Sequence, residues 1–296
     1  MKQTIVRASQ LIVERGDVSL ACIDSGPADC PSVLLLHGLA GHMGEWLVAA
    51  ASLERSYRVA RFDQRGHGAS TRAPSDLSRA AFVADTIAVI EKLELAPVVL
   101  VGQSLGAHTA FLVAAERPDL VAGLLVAETS PERDPFARAR LAVLLRAWPV
   151  PFTSRATALE FFGGDSLAAT FWLDGLEERA GAWWPRFECQ VVLGALREVT
   201  ERSFWSEWER VRAPTLIVRG EAGSLDGQVA KQMLERGAVT ELVEIAGGGH
   251  DIHLEQPQSW LGAVHWLIET IGVGERRLAG PTGHAIASAS AAGSSG

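Results

Sequence analysis

Apolar runs of four to six residues recur along the chain between Arg, Asp, Glu and Gly, and their spacing predicts strands alternating with helices. Residues 4–13 and 18–23 predict an opening hairpin that turns at Arg15, Gly16 and Asp17. The runs 32–36, 58–62, 98–101, 121–127, 215–218 and 242–245 predict further strands. Their Val- and Leu-rich composition suits burial on both faces. Phe82, Thr86, Ile90 and Leu93 fall at helical spacing and predict a helix over 78–93; a second is expected over 105–116, stopped near Pro118. Alternation of this kind specifies an α/β fold, a mostly parallel central sheet flanked by helices.

The alternation breaks between about Ser130 and Arg212, where helical patterns follow one another without a buried strand. This insertion carries 13 of the chain's 20 aromatic residues, so it is expected both to pack a small core of its own and to wall an apolar binding site. The expected organisation is therefore a core domain built from 1–130 and 213–272, a helical cap over 131–212, and a disordered tail over 273–296. The tail is Ala-, Ser- and Gly-rich and has no apolar periodicity.

Composition narrows the class. In 296 residues, 48% are hydrophobic and 21% charged, which is enough to close a large core and too apolar for disorder. No stretch approaches the roughly 20 apolar residues of a membrane span, and the first fifteen residues lack a secretion signal, so no membrane partner is expected. Net charge is −8 and the arginines are scattered among carboxylates, which argues against nucleic acid. Cys22, Cys30 and Cys189 fit no zinc spacing and read as free thiols of a reducing compartment, which places the expected location in the cytoplasm. His250 and His253 could suggest a metal pair, but no third ligand lies nearby; neither metal nor cofactor is expected. A small-molecule substrate is the remaining partner.

The strongest chemical signal is Gly102-Gln103-Ser104-Leu105-Gly106, set between a predicted strand and a predicted helix. This is the G-x-S-x-G nucleophile elbow in its proper context, where the tight turn strains the serine and requires small neighbours two residues away. Three further motifs accompany it in chain order: His37-Gly38-Leu39-Ala40-Gly41 and Asp63-Gln64-Arg65-Gly66-His67-Gly68-Ala69-Ser70 before it, and Gly249-His250 with Glu255 and Pro257 after it. Together these segments resemble the α/β-hydrolase family over nearly all of residues 4–271, implying the α/β-hydrolase fold. The resemblance also implies Ser104 as nucleophile, His250 as its base, and an oxyanion hole formed by the backbone N–H groups of Leu39 and Leu105.

A serine nucleophile needs a base, and the base needs a third group to hold its tautomer and stabilise its cation. Here the sequence departs from the family. The usual slot for the acid, three residues beyond the glycine ending the 215–218 strand, holds Gly223. Asp226 and Glu221 lie in the same loop, although Asp226 suits a helix cap. Glu128 ends the 121–127 strand, the slot used by haloalkane dehalogenases and some lactonases, and a carboxylate there requires a partner such as His250. Glu128 is therefore the favoured acid, with Asp226 and Glu221 as alternatives. Asp63 and Arg65 are read as structural, as are His37 and His67 in their Gly-rich turns.

These residues point to a cofactor-free serine hydrolase acting on an ester or lactone of a small, largely apolar substrate. C–C bond hydrolysis, perhydrolysis and a low-turnover ligand receptor remain as alternatives on the same triad. Dehalogenation would need an Asp where Ser104 stands, and nucleotide chemistry would need a phosphate-binding loop that no predicted strand precedes.

Overall fold

The computed structural model describes residues 9–238 and 240–272; the expected tail over 273–296 and the first residues of the expected hairpin lie outside them. The chain runs β1 (Ser9–Arg15), β2 (Val18–Ser25), β3 (Ser32–Leu36), α1 (Leu47–Leu53), β4 (Arg58–Phe62), α2 (Arg79–Lys92), β5 (Val98–Gln103), α3 (Leu105–Glu116) and β6 (Val121–Ala127). Next come α4 (Ala137–Arg146), α5 (Arg155–Phe161), α6 (Leu167–Asp174), β7 (Leu176–Arg179), β8 (Ala182–Pro185), α7 (Cys189–Ala195), α8 (Arg197–Glu201) and α9 (Trp205–Trp208). The chain then returns through β9 (Thr215–Gly220), α10 (Gly227–Arg236), β10 (Thr240–Ile245), α11 (Ile252–Glu255) and α12 (Pro257–Gly272). Among the described residues no helix is long and apolar enough to cross a membrane.

Eight strands form one sheet in the order β1-β2-β4-β3-β5-β6-β9-β10. β1 with β2 and β2 with β4 are antiparallel; every other pairing is parallel. The expected α/β fold with a mostly parallel sheet is thus observed. Period-two alternation along the central strands divides the core into two layers. Leu34, Leu36, Leu100, Leu124, Val126 and Ile217 meet α2 and α3 on one face. Val33, Leu35, Val101, Leu125, Leu216 and Val218 meet α1 and α12 on the other. Each fully buried Leu or Val contributes about 1.5–3 kcal/mol of transfer free energy, so these layers fix the register on which the site depends.

The segment between β6 and β9 differs from the expected all-helical pattern by one hairpin, β7 with β8, whose residues are mostly half-buried or exposed. A four-residue strand without a buried face leaves no apolar run to read. Phe152, Ala158, Leu173 and Leu176 form a small core within this segment. Leu145, Phe187 and Val192 pack instead on Ala40 of the body. Phe204, Trp208 and Val211, around α9, belong to the main core beside α3.

Several histidines are buried as neutral rings. His37, His67 and His253 are each held near a pKa of about 3, chiefly because burial penalises the cation. The unfolded chain takes up these protons near pH 6.5 while the folded chain does not, so stability is lost as pH falls through that value. Glu45 and Asp251, raised by burial, and His250, raised despite burial by its carboxylate neighbours, act in the opposite sense, while the buried rings of His42 and His108 act with the three. Each histidine contributes up to about 1.4 kcal/mol per pH unit below 6.5. Thermal melts are therefore expected to fall by several degrees between pH 7 and pH 5; a flat profile would show that these rings are not neutral in the folded protein.

Candidate active site

β5, β6, β9 and β10 are neighbours in the sheet, and the loops leaving their carboxyl ends bring together the residues singled out above. Ser104 follows β5, Glu128 follows β6, Ser224 lies in the loop after β9 and His250 in the loop after β10. Such strand ends are where parallel sheets build ligand sites.

Ser104 sits at φ +50°, ψ −117°, a conformation that costs a non-glycine residue about 1–3 kcal/mol. Its N–H donates to the carbonyl of Ala127 at 2.8 Å, which keeps the turn attached to β6. A Cβ at Gly102 would lie 2.5 Å from the Ala107 nitrogen, and one at Gly106 would overlap the carbonyl of Leu36. Both glycines of the elbow are thus required by close approach. Between them, the Gln103 side chain donates to the carbonyl of His250 at 2.8 Å and ties the two loops together.

The His37–Gly41 loop is pinned from below. The N–H of Gln64 donates to Nε2 of His37 at 2.9 Å, and the N–H of Ala40 donates to Nε2 of His67 at 3.1 Å. Each ring donates from Nδ1 to a backbone carbonyl, Gly38 at 2.7 Å and Arg65 at 2.9 Å. The Glu45 carboxyl accepts from the Gly38 N–H at 3.2 Å. Asp63 and Arg65 also hold structure: Asp63 accepts from the N–H groups of Met43 and Ala69 at 2.6 and 2.7 Å. Arg65 makes a buried bidentate pair with Asp85 of α2 at 2.6 and 2.7 Å.

Glu128 has a fully buried side chain and a positive φ of 54°. Its Oε1 accepts from the Gly220 N–H at 2.7 Å; its Oε2 accepts from the N–H groups of Ser224 and, at 3.2 Å, Leu225, and from the Ser224 hydroxyl at 3.1 Å. Burial opposes its ionisation, but this set of donors and His250 outweigh it and hold the carboxyl below its ordinary pKa. His250 Nδ1 lies 3.6 Å from Oε2 and 2.8 Å from the Ser224 hydroxyl. Burial disfavours the imidazolium, yet the carboxylates of Glu128, Asp251 and Glu255 prevail and raise the pKa of His250.

The other carboxylates considered are occupied elsewhere. Asp226 caps α10, accepting from Gln228 N–H at 2.8 Å and Val229 N–H at 3.2 Å, and Glu221 accepts from Gly247 N–H at 2.9 Å. Gly223, at the usual acid slot, is the residue the Glu128 carboxylate excludes from bearing a side chain: a Cβ there would overlap both carboxylate oxygens. The two slots compete for one volume, and Glu128 fills it. His253 is buried against Trp46 and Trp260, with ring centroids at 4.6 and 5.9 Å.

Ser104, His250, Glu128, Leu39 and Leu105 all line one cavity of about 700 Å³. Leu141, Leu145, Trp148, Phe171 and Trp172 of the inserted segment form much of its wall, with Val229 of α10. The remaining lining includes Glu45 and Asp251, the latter raised in pKa mainly by burial. Among the described residues no three His, Cys, Asp or Glu side chains are grouped to hold a metal ion.

Residues 33–263 match the model of the alpha/beta hydrolase family. The chain belongs to that family. An sn-1-specific diacylglycerol lipase from Mus musculus is 29% identical over 254 residues, 81% of each chain. An (E)-2-((N-methylformamido)methylene)succinate hydrolase from Acinetobacter baylyi is 24% identical, over 80% of this chain and 90% of that one. Among solved structures, an E-2-(acetamidomethylene)succinate hydrolase superposes with a TM-score of 0.81 at 22% identity, covering 89% of this chain and all of the other. This α/β hydrolase therefore shares its fold with an enzyme named as an (acetamidomethylene)succinate hydrolase.

Three contacts in this hydrolase site escape sequence reasoning: the Ser224 hydroxyl, the Gln103 tie to His250, and Glu45 beneath Gly38. Gln103 sits inside the elbow motif and was available as a signal. Ser224 follows a glycine in a loop, a pattern shared by ordinary turns. The overlap at Gly223 predicts that Gly223→Ala costs about 1–3 kcal/mol of stability, and that the cost largely vanishes in a Glu128→Gly background. Chemical denaturation of the four proteins of this cycle measures it; additive losses would show that the two residues do not compete for space.

Proposed function

We propose that this α/β hydrolase cleaves an ester or lactone of a small, largely apolar substrate through an acyl-enzyme on Ser104. The observation carrying this reading is the common cavity shared by a serine at a strained elbow, His250 and a buried, ionised Glu128 that faces Nδ1 of His250. In this mechanism, Nε2 of His250 takes the Ser104 proton as the hydroxyl attacks the carbonyl carbon, and the Glu128 charge stabilises the imidazolium. The backbone N–H groups of Leu39 and Leu105 receive the oxyanion; Leu105 opens α3, where an N–H has no partner within the helix. His250 then returns the proton to the leaving oxygen, and water releases the acyl group by the same steps in reverse order.

We further propose that residues 131–212 act as a cap whose apolar wall selects the substrate. Leu141, Leu145 and Trp148 line the cavity on one side of α4 and the loop after it. One relative is named as a diacylglycerol lipase and another as an (E)-2-((N-methylformamido)methylene)succinate hydrolase; the apolar residues Leu141, Leu145, Trp148, Phe171 and Trp172 along the cavity support the apolar substrate of the first kind.

Ser104→Ala is expected to lower kcat by roughly 10⁴ to 10⁶ and to abolish labelling by a fluorophosphonate, with His250→Ala comparably impaired and His253→Ala far less. Retained turnover in Ser104→Ala would overturn the mechanism. Glu128→Gln should lower kcat by about 10² to 10⁴, whereas Asp226→Asn should stay within a few fold and lose at most about 1 kcal/mol of stability. Because the base acts when neutral and its pKa is raised, the acid limb of kcat is expected above pH 6.5 and should move downward in Glu128→Gln. Along a homologous series of p-nitrophenyl esters, kcat/KM should rise by up to about 0.8 kcal/mol per buried methylene. Independence of chain length would show that the aromatic wall packs only on itself.

A further inference from the structure

The acid and the base of the proposed triad do not touch well. At 3.6 Å the separation between Nδ1 of His250 and Oε2 of Glu128 is too long for a hydrogen bond. Between them stands the hydroxyl of Ser224, 2.8 Å from the ring nitrogen and 3.1 Å from the carboxylate oxygen. We propose that Ser224 is a positioning residue that relays the Glu128 charge to His250 and fixes which ring nitrogen bears the proton. This inference rests on the triad reading given above.

The donor roles follow from the inventory of protons. An ionised Glu128 can only accept, so the single Ser224 hydroxyl proton points at Oε2. The hydroxyl oxygen then faces His250 with a lone pair, and it can meet Nδ1 at 2.8 Å only if Nδ1 carries the proton. A neutral imidazole with its proton on Nδ1 leaves Nε2 bare, as a base for the nucleophile must be. The chain of bonds Nδ1–H to Oγ–H to Oε2 thus selects the productive tautomer without direct contact between base and acid. When Nε2 gains the Ser104 proton, no covalent bond to Ser224 forms or breaks; both hydrogen bonds strengthen because one end is now cationic.

The hydroxyl's contribution can be separated from that of the loop. Glu128 is also held by the backbone N–H groups of Gly220, Ser224 and Leu225, and all three survive a change of the Ser224 side chain. Ser224 as a mere turn residue would therefore be replaceable by alanine. Ser224 as a relay would not, but threonine, which keeps a hydroxyl on Cβ, should largely restore it.

The test begins with the unmodified protein. Nitrogen-15 NMR of labelled histidine, with His250 assigned through His250→Gln, should show Nδ1 protonated and Nε2 bare in the neutral ring. A neutral ring protonated chiefly on Nε2 overturns the proposal, whatever the variants do. Ser224→Ala should lower kcat about 10- to 100-fold with KM within twofold and shift the ring towards a mixture of tautomers; Ser224→Thr should recover at least tenfold of any larger loss and the Nδ1–H form. Overturning results are Ser224→Ala turnover within twofold of the parent, or a loss of turnover with the Nδ1–H tautomer intact. Failure of the triad reading would look different, as persistent turnover in Ser104→Ala.

Discussion

A carboxylate buried at the end of a β-strand costs several kcal/mol unless it is fully paired, and Glu128 sets the terms for everything around it. One backbone N–H at the end of β9, two from the loop after it and one hydroxyl close on its two oxygens, so that loop is folded around a charge as well as around the apolar anchor Leu225. The charge also decides what the loop can contain. Gly223 must lack a Cβ because the Glu128 carboxylate fills the space, and Ser224 must follow to supply the hydroxyl that meets His250. A carboxylate after β6 and a side chain at position 223 after β9 therefore compete for one volume, and Glu128 occupies it.

The second constraint is strain held at adjacent strand ends. Ser104 and Glu128 both adopt positive φ immediately after β5 and β6, which pair in parallel, and the N–H of each donates to the strand beside it. Ser104 bonds to Ala127, and Glu128 to Val218. Each turn is therefore braced by the neighbour on which the next residue of the site depends. The two apolar layers that lock the register of β5, β6 and β9 are what make such conformations tolerable, since a one-residue slip would unpair both N–H groups and bury polar side chains.

Most of this architecture was legible in the chain, because its signals are periodic or local. Apolar runs of Val and Leu marked the strands; glycines two residues from Ser104 marked the elbow; Glu128 stood out as a carboxylate ending an apolar strand. What could not be read depends on contacts between distant loops. The 3.6 Å gap between Glu128 and His250, and the serine spanning it, arise from 96 residues of separation between Glu128 and Ser224 and leave no periodicity behind. The β7–β8 hairpin escaped for a different reason: half-exposed on short strands, its residues carry no buried alternation. Whole-segment placement of the 13 aromatics was informative about burial but not about partner, since Phe204 and Trp208 turned inward to α3 while Trp148 and Trp172 turned to the cavity.

That division of the aromatic residues bears on how the cavity wall and the loops around Ser104 are coupled. Ala40, at the end of the pinned loop that precedes α1, packs with Leu145, Phe187 and Val192 of the insertion, and Leu39 beside it contacts that same cluster. Leu39 also packs with Leu105, at the start of α3, and with Phe82 of α2. One short loop therefore touches both the wall that would select a substrate and the residue whose N–H would receive its charge. His37, His67 and Glu45 hold that loop by its backbone, so its amides keep their direction while its side chains meet the insertion. A wall built on a braced loop can vary in its apolar side chains without redirecting the backbone N–H groups of that loop.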